Sequence, residues 1–353
     1  MAHNESAAAP DEWLPTLTIG VYNRRERLAR RQATYPAIRS FFPAAFAAVG
    51  FPTRVTDDTE LRRYADIMWE PASREHWLNE VGWSASEEAL ILRFRAEVRA
   101  LTVRIFDRSV EPFMCLFPPM PILRLIEAVS AHLHRRLRIL EVGPGSGALG
   151  GYCLLRGHDY LGVEITQALY LWQHRLFRWL TRGTLQDLAL CDSISSDLLN
   201  AHAILIPWWH FAQMFRGPTP GGVDIVVCEA AMGEMDPFAH RYLVHLAKRL
   251  LEPSNAGLFI YQYLGEERFN DEATTARRFA AHGFRPLTCG PVRVQVGSPD
   301  SPHDLLRRFE QGPPPVDLDA SSALRTAAEF LTPDPSALME SYAFFDFLRL
   351  DLG

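Results

Sequence analysis

The chain has 353 residues, 48% of them hydrophobic and 22% charged, with a formal net charge of -6. That length exceeds one small core and predicts either one large domain with an appendage or two domains. The acidic balance, with no large single-sign block, builds no extended basic surface and so excludes nucleic acid as the expected partner.

In chain order, "MAHNESAAAPDEW" has no basic region and no apolar run, so a secretory signal is not expected. About the first ten residues are expected to be disordered. From Trp13 to Arg136 the pattern is helical. Leu61, Tyr64 and Met68 suggest one helix. Leu90, Phe94, Val98, Leu101 and Ile105 recur at helical spacing behind Ser86-Glu87-Glu88 and predict a second. Ile122, Ile126, Val129 and Leu133, behind Pro121, predict a third. "EPFMCLFPPMP" (111–121) reads as a rigid loop between these last two helices. The longest apolar run, Phe41 to Phe51, is too short to span a bilayer and holds a proline. Cys115, Cys153, Cys191, Cys228 and Cys289 are odd in number, widely spaced and form no C-x-x-C pair. They argue against a disulfide framework or structural zinc and fit a reducing, cytoplasmic setting.

The character changes at Leu137. "LRILEV" predicts a strand, "GALGGYCLLRGH" a helix closing at Gly157, and "DYLGVEI" a second strand ending at Glu164. A helix follows over "TQALYLWQHRLFRWL", with Thr166 as its N-cap. "AILIPWW" is a third strand stopped at Pro207, and "VDIVVCEA" a fourth. "DPFAHRYLVHLAKRLL" is a helix capped by Asp236, and "GLFIYQYL" a fifth strand. "TARRFAAHGFRPL" reads as helix then strand, with "PVRVQVG" as its pairing partner. "GSPDSPHDLL" and "EQGPPPVDLDASS" read as loops, and "AFFDFLRLDL" fits either strand or helix. The fold class is therefore α/β: a helical region over 1–135, then a parallel sheet covered on both faces over 136–353 with an irregular C-terminal extension.

The chemistry concentrates in "LEVGPGSGALGG" (140–151). Its glycines fit two dinucleotide-binding patterns, and they also fit E-x-G-x-G-x-G. Glycines bring a ligand close to the backbone in either case, and Glu164 suits the ribose of either ligand. Glu141 discriminates. A carboxylate here repels a pyrophosphate but attracts an ammonium or sulfonium; opposite charges ~4 Å apart gain roughly 4 kcal/mol at an effective dielectric near 20. The ordinary structural alternative for Glu141 is a carboxylate that accepts loop N–H bonds.

"ILEVGPGSG" followed by "YLGVEI" resembles the first two motifs of class I S-adenosylmethionine-dependent methyltransferases, over about Leu137 to Leu264. "VEITQALYLWQHRL", "IPWWHF" and "CEAAMGEM", in this order, resemble the sugar O-methyltransferases of polysaccharide clusters. The resemblance implies a Rossmann-like sheet, S-adenosyl-L-methionine as cofactor and an oxygen of a sugar or glycosylated small molecule as acceptor. It implies a cofactor site at Glu141, Gly143, Gly145, Ser146, Gly147 and Glu164. The partner is then a small sugar-like molecule, with neither nucleic acid nor membrane, and a homodimer is one admissible assembly. Carboxylate, peptide or amine acceptors on the same fold, an NAD-dependent oxidoreductase and a non-catalytic binding module are the competing readings.

A sugar hydroxyl is a poor nucleophile, so a general base is expected beyond the third and fourth strands. His210 and Glu234 are the candidates for it, and Glu229 and His240 for contact with substrate. Trp208 and Trp209 are expected to divide between the cofactor pocket and the core. Glu229, Glu234, Asp236 and His240 also form a minority Mg²⁺ reading, but no metal is expected. The basic run Asn23 to Arg31 reads as an exposed helix face, with a nucleotide-sugar diphosphate as the alternative.

Overall fold

The computed structural model describes residues 13, 15–33, 37, 41, 53–66, 83–229, 231–233, 235–262, 271–289 and 292–310. The expected N-terminal disorder, Met68, most of the Phe41–Phe51 run, Glu234 and everything after 310 lie outside the described residues.

The N-terminal region is helical. Helix α1 (Ile19–Gln32) starts where Thr18 accepts a hydrogen bond from the N–H of Val21. A 3₁₀ helix spans Asp58–Ala65 behind a capping box on Asp57. Helix α2 (Ala85–Phe106) begins one turn-residue earlier than the Ser86 signal implies. Its N-cap is Ser84, in a reciprocal capping box with Glu87. Helix α3 (Met120–Leu133) has Pro121 in its first turn. Between α2 and α3 the proline-rich loop carries a short turn at Met114–Leu116.

The sheet begins with β1 (Arg138–Val142), α4 (Ala148–Leu155), β2 (Asp159–Glu164) and α5 (Gln167–Leu180). It continues through β3 (Gln186–Asp187), β4 (Ala203–Pro207), α6 (Trp208–Phe211), β5 (Ile225–Cys228), α7 (Pro237–Leu251) and β6 (Leu258–Tyr261). It closes with α8 (Glu272–Ala281), β7 (Arg285–Cys289), β8 (Val292–Val296) and α9 (His303–Glu310). The order is β3-β4-β2-β1-β5-β6-β8-β7. Every pairing from β3 to β6 is parallel, and β8 runs antiparallel to both β6 and β7. A dinucleotide fold continues its order with parallel strands. Here a terminal hairpin inserts an antiparallel strand instead, giving a Rossmann-like sheet with one antiparallel strand between β6 and β7.

Two local expectations are corrected. The strand over 203–207 is the fourth, because β3 is only two residues long and leaves no periodic signal. Residues 303–310 form a helix where a loop was expected. Thr166 stands at the N-cap of α5 as expected, with extended backbone, although its hydroxyl makes no cap bond.

The N-terminal helices pack onto the sheet's own helices, α2 against α4 and α5 and α3 against α4. One hydrophobic cluster runs from Leu17 through Phe94 and Ile139 to Leu306. At the amino edge, buried Asp224 accepts two hydrogen bonds from Arg135 (both 2.7 Å), one from Arg138 N–H (2.9 Å) and one from Ser254 (2.7 Å). That clamp ties the entry of β1 to the entry of β5. The opposite, carboxyl edge carries the glycine loop, Glu164, Pro207, Glu229 and Gln262. Among the described residues no helix is long and apolar enough to cross a membrane.

Candidate functional site at the carboxyl edge

The loop after β1 is shaped by alternating glycines. Gly143, Gly145 and Gly147 have φ of 76°, 56° and 82°, the left-handed region that L side chains avoid. A Cβ added at Gly145 would meet nothing within 4 Å, so the backbone there borders open space. Helix α5 fixes the loop from below. Trp172 Nε1 donates to Ser146 O (2.9 Å), and Gln173 Nε2 donates to Gly145 O (2.8 Å). Gly147 opens α4 with no side-chain cap, so its first-turn N–H groups remain as donors for an anionic group. The two later glycines do different work. A Cβ on Gly150 would stand 2.4 Å from the Tyr160 ring, and one on Gly151 would stand 2.1 Å from Phe94. They set helix packing rather than ligand contact.

Beneath this loop lie buried carboxylates. Glu141 is 1% exposed and accepts a 2.6 Å hydrogen bond from Tyr160 Oη. Burial pushes its carboxyl up to about 8, against the Tyr160 bond, and the charges of Glu229 and Glu164 add to the rise. Glu164, 2% exposed at the end of β2, is also raised by burial. One of its oxygens accepts from the N–H groups of Ile165 and Thr166 (both 2.8 Å), and the other accepts from Gln173 (3.1 Å). Of about four lone-pair directions on a carboxylate, one is left. Glu164 therefore keeps at most one acceptor direction open, and the Thr166 side chain also bears on it. Glu229 follows β5, and burial pushes its carboxyl up to about 7 against a hydrogen bond from Gln262. Among the described residues none of these three carboxylates is paired with a basic side chain. Gln173 Oε1, next to the loop, is buried without a partner.

The proline-rich loop closes the far side. Gln262 Nε2 donates to Pro118 O (2.6 Å) and to Glu229 Oε1 (3.2 Å), and Tyr152 Oη donates to Leu116 O (2.8 Å). Cys115 N–H donates to Asp66 (2.9 Å), and burial raises its thiol, with Asp66 and Ser146 both bearing on it.

The other sequence candidates fall elsewhere. His210 is 2% exposed and faces the β3 edge, where Nε2 meets Cys191 O at 3.2 Å while Nδ1 has no partner. Burial lowers its imidazole, and none of these contacts is with the carboxylates. His240 lies on the buried face of α7 with both ring nitrogens unpartnered. Asp236 caps α7 through Phe238 N–H (2.8 Å), as its position predicted. Trp208 and Trp209 are both buried beside α1. Trp208 Nε1 donates to Glu26 (3.3 Å) under the Arg30 guanidinium, and the Trp209 ring lies 5.2 Å from Tyr22. Trp209 also lines a separate cavity of about 610 Å³ with Ala33, Phe215, Arg216 and Tyr242. In the basic run, Arg25 pairs with Asp192 and Arg30 with Glu26, while Arg24, Arg27 and Arg31 are exposed.

Sequence reading missed Tyr160, Gln173 and Gln262. Tyr160 lies two residues before Gly162, the register partner of Glu141, and Gln173 sits inside a segment already singled out as the second-motif helix. Gln262 carries no signal of its own until β6 is set beside β5.

No family model and no curated protein matches the chain. Among solved structures it is similar to the bifunctional kinase-methyltransferase WbdD at 13% identity, over 50% of this chain and 38% of that one, with a TM-score of 0.36. It is also similar to magnesium protoporphyrin IX methyltransferase (ChlM) from Synechocystis PCC 6803 with bound SAM, at 12% identity over 59% and 94% of the two chains and a TM-score of 0.34. A TehB-like SAM-dependent methyltransferase from Corynebacterium glutamicum matches at 15% identity over 60% and 98%, again with a TM-score of 0.34. The chain thus spans 38% of the length of WbdD. Likenesses this distant say nothing about substrate, and the fold rests on the strand order itself.

Proposed function

We propose that the chain is an S-adenosylmethionine-dependent methyltransferase acting on a hydroxyl of a sugar or glycosylated small molecule. The observation that carries this reading is the set of carboxylates around one glycine loop, Glu141 and Glu164 buried and Glu229 half-buried, with no basic partner among the described residues. Such a pocket repels a pyrophosphate and favours a cationic ligand.

When bound, S-adenosylmethionine supplies an activated methyl group on a sulfonium. Glu141 faces its cationic portion, the loop at Gly143, Gly145, Ser146 and Gly147 approaches it through backbone, and the α4 N-terminus meets its carboxylate. Glu164 accepts one ribose hydroxyl. Glu229 is the general base in this reading, in place of His210, which faces the β3 edge. A carboxyl pushed to about 7 is half ionised near neutral pH, where a general base is most effective. Gln262 and the loop at Pro118 keep Glu229 in place and wall off water.

Calorimetric titration with S-adenosylhomocysteine and with NADH separates this reading from an oxidoreductase, and heat from NADH alone overturns it. Radiolabelled methyl donor, offered with glycosides, peptides and amines, then tests the acceptor. Transfer to a peptide carboxylate with none to any glycoside ends the sugar reading and leaves the methyltransferase reading standing.

A further inference from the structure

Gln262 is the first residue past β6 and is fully buried. Its main-chain N–H donates to Glu229 O (3.1 Å), which sets the two strand ends side by side. Both protons of its amide nitrogen are committed, one to Pro118 O and one to Glu229 Oε1. Reversing the amide would press its oxygen against a carbonyl and a carboxylate, so the partners fix its orientation. Oε1 is left buried and, among the described residues, without a hydrogen-bond partner. A buried carbonyl in that state is uncommon and destabilising, and it marks a position kept for something other than stability. Next to it the second oxygen of Glu229 accepts nothing from the described residues, and Glu229 is only half-buried.

The site therefore presents two hydrogen-bond acceptors at adjacent strand ends, with no donor between them among the described residues. A lone alcohol has one proton and satisfies one of them. We propose that the acceptor is a vicinal diol: one hydroxyl donates to Glu229 and is methylated, and its neighbour donates to Gln262 Oε1 and is not. This rests on the methyltransferase reading above. In the transfer the hydroxyl oxygen forms the new O–C bond, the S–C bond of the sulfonium breaks with its electron pair staying on sulfur, and the hydroxyl proton goes to Glu229. Gln262 is then the residue that determines specificity, while also orienting the base.

The test uses the full chain loaded with S-adenosylhomocysteine, titrated by calorimetry and saturation-transfer NMR with methyl hexopyranosides and their singly deoxygenated counterparts. Removing either of two adjacent hydroxyls should weaken binding about tenfold. Gln262→Leu should weaken the intact glycoside by a similar factor and abolish discrimination at one hydroxyl, with S-adenosylhomocysteine affinity unchanged. The wild-type deoxy series needs no variant at all. Equal weakening of intact and deoxy glycosides by Gln262→Leu, preference for an amine, or no diol bound by protein that binds S-adenosylhomocysteine overturns the proposal. Failure to bind S-adenosylhomocysteine overturns the methyltransferase reading beneath it.

Discussion

Tyr160 Oη donates a 2.6 Å hydrogen bond to Glu141 Oε2 across the β1–β2 pair, beneath the glycine loop. Among the described residues it is the one hydrogen bond on a carboxylate that is otherwise desolvated and held up to about 8. Before a cation arrives, Glu141 is therefore mostly protonated at neutral pH, and a cation must draw the proton off. Ligand binding is then linked to proton release. Affinity for S-adenosylmethionine should rise with pH below about 8 and level off above it, by up to about tenfold per pH unit. Titration in buffers of different ionisation enthalpy counts the proton. Glu141→Gln should bind weakly and without pH dependence, and Tyr160→Phe should shift the rise to higher pH. A flat profile in the wild type removes Glu141 from the cation site.

The same carboxyl predicts a stability trade. Its folded value lies above its unfolded one, so its contribution is fully present below the ordinary carboxylate range and is lost as pH rises through about 8. Ligand-free Glu141→Gln should accordingly melt above the wild type at pH 8.5, with the difference shrinking toward pH 5. Thermal denaturation at several pH values checks this. A variant less stable at every pH would mean that the carboxylate is needed for folding itself.

Much of this was legible in the sequence, for physical reasons. Alternating glycines demand positive φ, strand and helix periods are long enough to read over most elements, and a lone carboxylate at a strand end already speaks for charge. What could not be read was side-chain traffic between elements. Glu164 looked free to take a ribose, but the turn N–H groups of Ile165 and Thr166 and the amide of Gln173 occupy most of it. His210 and His240 looked like site residues because they follow strand ends, yet one turns to the β3 edge and the other into the core. Gln262 became visible only once the sheet register set it beside Glu229.

The loop glycines should separate into two classes. Gly145→Ala meets no neighbour and carries only backbone strain, costing about 1 kcal/mol. Gly150→Ala drives a methyl into the Tyr160 ring at 2.4 Å and should cost 1–3 kcal/mol or so through overpacking, while also pushing Tyr160 off Glu141. Chemical denaturation gives the two values, and their reversal would show that the loop, not the helix contact, limits stability.

The N-terminal segment is latched to α5. His174 Nδ1 lies 2.6 Å from Asp187, and its Nε2 accepts from the N–H groups of Thr16 and Leu17 (both 3.2 Å). Two N–H donors on Nε2 require the neutral tautomer that donates from Nδ1 to Asp187. His174→Phe keeps the bulk and loses the acceptor. Amide exchange at Thr16 and Leu17 should then quicken at least about tenfold while α7 is unaffected, and unchanged exchange would locate the latch in Trp13 packing on Trp179 instead.

His240 is polar, wholly buried and, among the described residues, unpartnered. Burial, with Arg278 adding to it, drives its imidazole down to about 3. A depressed value means that the folded state refuses a proton the unfolded chain accepts. The contribution is present above the ordinary histidine range and is lost as pH falls toward 3, by on the order of 4 kcal/mol in full. His240→Leu removes the titration and two desolvated nitrogens. It should match or exceed wild-type stability by about 1 kcal/mol at pH 7.5, with the advantage growing between pH 6.5 and 4.5. If the melting curves of the two proteins instead run parallel through that window, His240 has a partner when the protein is in solution. If transfer activity falls as well, its first assignment to the substrate side returns.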